Sequence, residues 1–139
     1  MTSSLKLEIA PDIHGVVDAQ AAVADFAVSH DLSDRIAFAL ELATDEIVSN
    51  IVRHGFPPGQ PDRRIACEAE VTKDAVAIAF LDNGVAFDPL TSAPEPDLTS
   101  PVAVRELGGL GVYLVKQLAD ETRYERTDDL NRLELAWRL

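Results

Sequence analysis

The segment Leu40–Gly55, ending in DEIVSNIVRHG, constrains this chain more than any other stretch. Leu40, Ala43, Ile47 and Ile51 recur three and four residues apart, the spacing of one buried stripe on an α-helix. Glu46, Asn50 and His54 fall four apart on a neighbouring face, and a helix brings such neighbours to within about 5–6 Å at Cβ. A carboxylate one turn from a carboxamide can hold a metal ion and a water or hydroxyl between them. Polar residues beside a core stripe are more often solvated surface, so the pair points to chemistry only if other segments complete a site.

The chain around this helix alternates between short strands and helices. Leu5–Ile9 alternates apolar and polar residues, as a half-buried edge strand does, and Pro11 and Gly15 are expected to end it. From Asp18 to Ser29 an alanine-rich helix is predicted, with Val17, Ala21, Ala24 and Val28 on its buried face. Ser33 is the expected N-cap of the central helix and Asp34 lies in its first turn. That helix is expected to run to His54, with Gly55 as its C′ residue and Pro57 and Pro58 preventing continuation. Arg64–Val71 alternates again and Ala75–Leu81 is almost wholly apolar, which predicts an antiparallel hairpin turning at Lys73–Asp74. Residues 82–107 hold four prolines between Pro89 and Pro101 without firm periodicity, apart from a short helix expected around 102–107. So long an aperiodic run reads as a lid or as disorder.

After GGLG at Gly108–Gly111, Val112, Val115, Leu118 and Ala119 make a further amphipathic helix. Thr122–Arg126 and Arg132–Leu139 form a last strand pair, with Leu133, Leu135, Trp137 and Leu139 expected inward. The order β-α-α-β-β-lid-α-β-β favours an α/β two-layer sandwich: a mixed, mostly antiparallel sheet with helices on one face.

Composition narrows the function classes. With 139 residues the chain is expected to be a single domain spanning 1–139. No apolar run approaches the ~18–20 residues of a membrane span, and the N-terminus does not read as a signal peptide. The lone Cys67, in a strand pattern, fits a small buried hydrophobe in a reducing cytoplasm. A net charge of −12, from 12 basic and 24 acidic residues, disfavours nucleic-acid binding. A polyphosphate would have to be held by backbone N–H groups and a divalent cation.

Two further segments bear chemistry. DNGVAFDP follows directly from the apolar strand, so Asp82 at the strand end can accept hydrogen bonds from an amine in a closed pocket. There Gly84 removes a side chain that would block a flat ring, and Phe87 can close the pocket edge. D-N-G is also a common turn after a strand, and on these residues alone the turn reading leads. GGLG before a helix offers unobstructed N–H groups and a positive helix end to phosphates. It is neither a Walker A loop nor a dinucleotide-binding fingerprint, and a glycine hinge explains it almost as well.

Taken together, DEIVSNIVRHG, DNGVAFDP, GGLG and the closing YERTDDLNRLEL resemble the N box, the two glycine boxes and the final strands of the GHKL (Bergerat-fold) ATP-binding superfamily. Within it the chain resembles the small anti-sigma-factor serine/threonine kinases along nearly its whole length. The resemblance implies ATP and Mg2+ as cofactors. Glu46 would be the general base, Asn50 would ligate Mg2+, Asp82 would bind the adenine amine and Gly84 would make room for the base. Gly108, Gly109, Leu110 and Gly111 would contact phosphates, chiefly through the backbone of Gly109 and Gly111, as a lid at about 88–108 closes. Arg105 in that lid is a candidate for the γ-phosphate, set against a solvated arginine. His54 is expected to pack at the core edge or cap its helix. The third glycine-rich segment of the family reads DDLNR here; Asn131 tolerates a left-handed turn, but a nucleotide contact from that loop loses support.

The implied activity is phosphorylation of a STAS-domain anti-anti-sigma partner, with a sigma factor as a second partner. The alternative is a nucleotide-dependent partner-binding module without kinase activity, and the blandest reading is a structural domain with no nucleotide site. For homodimer formation, the alanine-rich helix and the sheet edge are both candidates.

Overall fold

The computed structural model describes residues 4–92 and 110–139. Their order is β1 (Ser4–Ile9), α1 (Ile13–Ser29), α2 (Asp34–Asn50), a π-helical turn (Ile51–Gly55), β2 (Ile65–Val71), β3 (Ala75–Asp82), the single turn α3 (Pro89–Ser92), α4 (Leu110–Leu118), β4 (Glu121–Thr127) and β5 (Leu130–Arg138). The strands form one sheet in the order β1-β2-β3-β5-β4, and every neighbouring pair is antiparallel. The two-layer sandwich is therefore as expected, with no parallel pair among the described strands. The short helix expected around 102–107 lies outside the described residues, as does most of the expected lid.

Strand register explains how the sheet positions a site. Side chains alternate across a strand, so cross-strand partners form rows on one face. One row facing the helices is Leu7, Cys67, Phe80, Leu133 and Tyr124, and the row before it holds Leu5, Ala69, Ile78, Leu135 and Thr122. Apart from Thr122, which is exposed on the edge strand, these rows join Val23, Phe26, Leu40, Ala43, Ile47 and Val115 of the helices in one core. The next row reads Ile9, Ile65, Asp82, Asn131 and Arg126. There the apolar core gives way to polar side chains while the face stays covered: Asp82 and Asn131 are 7% and 5% exposed.

Several local expectations are corrected. Helix α1 begins at Ile13, five residues early, because Asp12 caps it by accepting a hydrogen bond from the Gly15 amide at 3.1 Å. Gly15, expected to help end the first strand, lies instead within α1 and allows close packing, since a Cβ there would fall 1.9 Å from the Ala10 carbonyl oxygen. The buried face of α1 is Val16, Ala19, Val23, Phe26 and Ala27, whereas Val17 and Val28 are exposed. Alanines populate both candidate stripes, and burial of the large Phe26 ring decides between them.

Helix α2 starts as expected, with Ser33 Oγ accepting from the Ile36 amide at 3.3 Å. Its end differs: it passes into the π-helical turn, and Gly55 does not take the left-handed conformation of a C′ residue, the one glycine with positive φ among those described being Gly59. In the β4–β5 hairpin the left-handed residue is Asp128, with φ of 55°, and Asn131 lies within the strand rather than in the turn. Leu139, expected inward, follows the end of β5 and is exposed.

Candidate functional site

Helix α2 is anchored by Ala43, Thr44, Ile47 and Val48, all buried, which leaves Glu46 and Asn50 half-buried on its flank. Burial raises the Glu46 carboxyl above the ordinary carboxylate range; the neighbouring Asp45 adds to the shift and Arg53 opposes it. A carboxylate made more basic in this way is a better proton acceptor than an ordinary glutamate. Across from it stands the first turn of α4. A Cβ on Gly111 would fall 1.9 Å from Glu46 Cδ and 2.2 Å from its Oε2, so the glycine backbone lies directly against the carboxylate. The helix residue and the second glycine box, 65 positions apart in sequence, thus meet. Arg53 extends the flank one turn beyond Asn50, at i, i+4 and i+7 from Glu46, a spacing that sequence reading passed over.

The π-helical turn brings the end of the same helix to the strand-end turn after β3. Helices with an inserted residue of this kind often sit at functional sites. Here the Gly55 carbonyl accepts a hydrogen bond from the Val85 amide at 2.9 Å. A Cβ on Gly84 would fall 2.2 Å from that carbonyl oxygen, so the glycine first admits the backbone of the π-helical turn. Asn83 ties the preceding loop to the same turn: its Oδ1 accepts from the Arg64 amide at 2.7 Å and its Nδ2 donates to the Asp62 carbonyl at 2.9 Å.

Asp82 sits at the floor of this corner. Its Oδ1 accepts from the Gly84 amide at 2.9 Å and from Asn131 Nδ2 at 3.0 Å. Burial raises its carboxyl above the ordinary range, while the Asn131 and Gly84 hydrogen bonds and the charge of Arg126 pull it back. Arg126 also donates from Nη1 to the Gly84 carbonyl at 2.8 Å. Among the described residues no hydrogen bond to Asp82 Oδ2 is found, and the one enclosed side-chain polar atom without a partner is Trp137 Nε1. Oδ2 is therefore open to an incoming donor.

The remaining expected residues divide. Phe87 is about half exposed at the edge of the corner, its amide 3.5 Å from Asn131 Oδ1. His54 is exposed in the π-helical turn rather than packed at the core edge. Leu110 opens α4. Arg105, Gly108 and Gly109 lie outside the described residues. Sequence reading missed Tyr124, Arg126 and Asn131 as site residues. Their signal was the register that sets Asn131 opposite Asp82 and Arg126 opposite Asn131, which required knowing that β5 pairs with both β3 and β4.

An acid–amide helix, a glycine-led helix against the acid and a strand-end carboxylate on a helix-covered antiparallel sheet define a nucleotide-binding domain of the kinase and ATPase class. The chain belongs to the histidine kinase-like ATPase domain family, whose model matches residues 9–137. It is 37% identical over 103 residues to the serine/threonine-protein kinase BtrW of Bordetella bronchiseptica, covering 74% of this chain and 71% of that protein. It is 31% identical to an anti-sigma F factor of Clostridium beijerinckii, covering 73% of this chain and 70% of the relative. Among solved structures, the RsbU and RsbW domains of a Mycobacterium tuberculosis protein superpose with a TM-score of 0.70 at 16% identity, covering 99% of this chain and 32% of that one. At that identity the likeness speaks for the fold alone.

Proposed function

We propose that this chain is an ATP-dependent serine/threonine protein kinase and anti-sigma regulatory factor. Its substrate is a STAS-domain anti-anti-sigma protein, with which a sigma factor competes for the kinase. The observation that carries this reading is the contact of Gly111 with Glu46, which sets a basic carboxylate beside a backbone suited to phosphates. The kinase and anti-sigma names of the relatives support the same reading.

In the proposed reaction Glu46 takes the proton of a serine or threonine hydroxyl as its oxygen bonds to the γ-phosphorus. The bond from that phosphorus to the β,γ-bridging oxygen breaks and ADP leaves with the electron pair. Asp82 Oδ2 accepts from the adenine amine, and the amides at the start of α4 face the phosphates. The donor set fits Mg2+: the Asn50 carboxamide on the half-buried flank of α2 would supply a hard oxygen. Among the described residues no cluster of three or more ligating side chains offers a complete protein cage, so phosphates would supply most ligands. Such an ion would neutralise phosphate charge, which matters on a chain of net charge −12. Residues 88–108 form the lid in this reading, and the chain acts in the cytoplasm. No helix among the described residues is long and apolar enough to cross a membrane.

The test is incubation of wild type and Glu46→Ala with Mg-ATP and a STAS-domain substrate, alongside calorimetric ATP binding. Transfer by the wild type and its loss in Glu46→Ala, with ATP still bound, is expected. Equal rates would remove Glu46 as the base. Tight ATP binding without transfer to any STAS protein would instead indicate a nucleotide-gated binding module.

A further inference from the structure

Asn131 uses every hydrogen-bonding capacity of its carboxamide. Its Nδ2 donates to Asp82 Oδ1 at 3.0 Å and to the Val85 carbonyl at 2.8 Å. Its Oδ1 accepts from the Tyr124 hydroxyl and faces the Phe87 amide at 3.5 Å. A flipped amide would set its oxygen against a carboxylate oxygen and a carbonyl oxygen, and its NH2 against an N–H, so only one orientation is tenable. In that orientation the Tyr124 hydroxyl, whose partner oxygen only accepts, must donate. A directed chain runs from β4 through β5 to β3: phenol to carboxamide to carboxylate.

The chain has a consequence at its far end. With Oδ1 of Asp82 held by two donors, one oxygen remains for a ligand, and an ionised carboxylate can only accept. A purine carrying an amine at its six position presents a donor there. A purine carrying an oxo group presents an acceptor, which leaves two facing acceptors with no proton between them. A site built to pair with one hydrogen-bonding group discriminates strongly against an analogue that leaves it unpaired.

We infer that Asn131, oriented by Tyr124, is the positioning residue that makes Asp82 an adenine-selective acceptor and so sets the preference for adenine over guanine nucleotides. The inference rests on the reading of Asp82 as the nucleobase acceptor and extends it to two residues that would not touch the base. Val85 belongs to the same device: its carbonyl is held by Asn131 and its amide by Gly55, so the turn that borders the base is fixed from both sides. Without the carboxamide, Asp82 loses one of its two donors on Oδ1, and the carboxylate is free to rotate or to carry a proton that a guanine oxygen could accept.

Calorimetric titration with ADP, GDP and the diphosphate of purine riboside, which lacks the six-amine, separates the possibilities. Wild type is expected to bind ADP about 1,000-fold more tightly than GDP. In Asn131→Leu, of similar volume, that ratio is expected to fall below about 30-fold, and loss of the six-amine is expected to matter far less than in wild type. Tyr124→Phe, which removes only the hydroxyl, is expected to lower the ratio about 3- to 10-fold, and it keeps the test open if Asn131→Leu fails to fold. A purely structural role would weaken all three ligands by the same factor. Wild-type binding that does not distinguish ADP from GDP would overturn the assignment of Asp82 itself. Strong wild-type selectivity retained in both folded variants would overturn the role of Asn131 and Tyr124 alone.

Discussion

Gly111 and Glu46 are in contact across the gap between α4 and α2, close enough that a methyl group on Gly111 would overlap the glutamate carboxyl carbon at 1.9 Å. The overlapped atoms are the far end of a side chain, so Gly111→Ala is expected to displace the carboxylate rather than break the fold. A displacement on the order of 1 Å at a reacting group costs about 100-fold in rate. Gly111→Ala is therefore expected to lower kcat for phosphoryl transfer about 100-fold while its melting temperature stays within a few degrees of wild type. Single-turnover rates and a thermal melt measure both, and an unchanged kcat would show that Glu46 has no fixed position to lose.

The ionisation of Glu46 gives a pH signature. Its carboxyl is raised by burial first and by Asp45 second, and lowered by Arg53. A general base works in its ionised form, so kcat/KM is expected to fall as pH drops through this raised value, above the range of an ordinary glutamate. Asp45→Asn removes a contribution that raises it and should move the acid limb to lower pH. Arg53→Met removes the opposing charge and should move it to higher pH. Opposite displacements identify the limb as that of Glu46; a limb that neither variant moves belongs to another group.

Cys67 is wholly buried, and its thiol is pushed up to about 12, chiefly by burial and then by Glu68. The thiolate is the reactive form, so the native protein should consume a thiol reagent such as Ellman's reagent only as it opens. Across a urea series the extent of labelling is expected to follow the loss of far-ultraviolet circular dichroism. Rapid labelling without denaturant would mean that β2 opens locally, apart from global unfolding.

Much of the site was legible because its parts are local in sequence. Glu46 and Asn50 announce themselves by helical spacing, and Asp82 by its place where an apolar strand meets Asn83 and Gly84. The hairpin of β2 and β3 and the Ser33 cap follow from alternation and from short-range hydrogen bonding. What escaped depends on long-range pairing. Asn131 reads as a turn residue beside Asp128 and Asp129, yet β3–β5 register places it opposite Asp82 in the sheet. Helix α1 was misread for a related reason: alanine fits either stripe, and contact with the sheet and α2, absent from a local pattern, selects the one containing Phe26. Gly55 looked like a helix stop, but its carbonyl reaches a turn 30 residues away.

Asp82 couples stability to function. Its folded carboxyl is raised above the ordinary aspartate range because burial outweighs the help of Asn131, Gly84 and Arg126. For a group raised in the folded state, the favourable contribution is fully present below the unfolded pKa and is lost as pH rises through the folded value. At neutral pH the ionised side chain therefore destabilises the fold relative to a neutral one. Asp82→Asn keeps an oxygen for the Gly84 amide and Asn131 Nδ2, and removes the buried charge. Its melting temperature is expected to exceed that of wild type at pH 7, with the difference shrinking as the pH falls through the raised folded value and levelling off once it is below the ordinary carboxylate range. The same change presents an NH2 where the adenine amine needs an acceptor. A hydrogen bond to a charged group is worth about 1.5–3 kcal/mol, so ADP affinity is expected to drop about 10- to 100-fold. Melts across pH together with calorimetry check both halves. A variant that is less stable than wild type at pH 7 would show that Asp82 is retained for packing rather than at a cost to the fold.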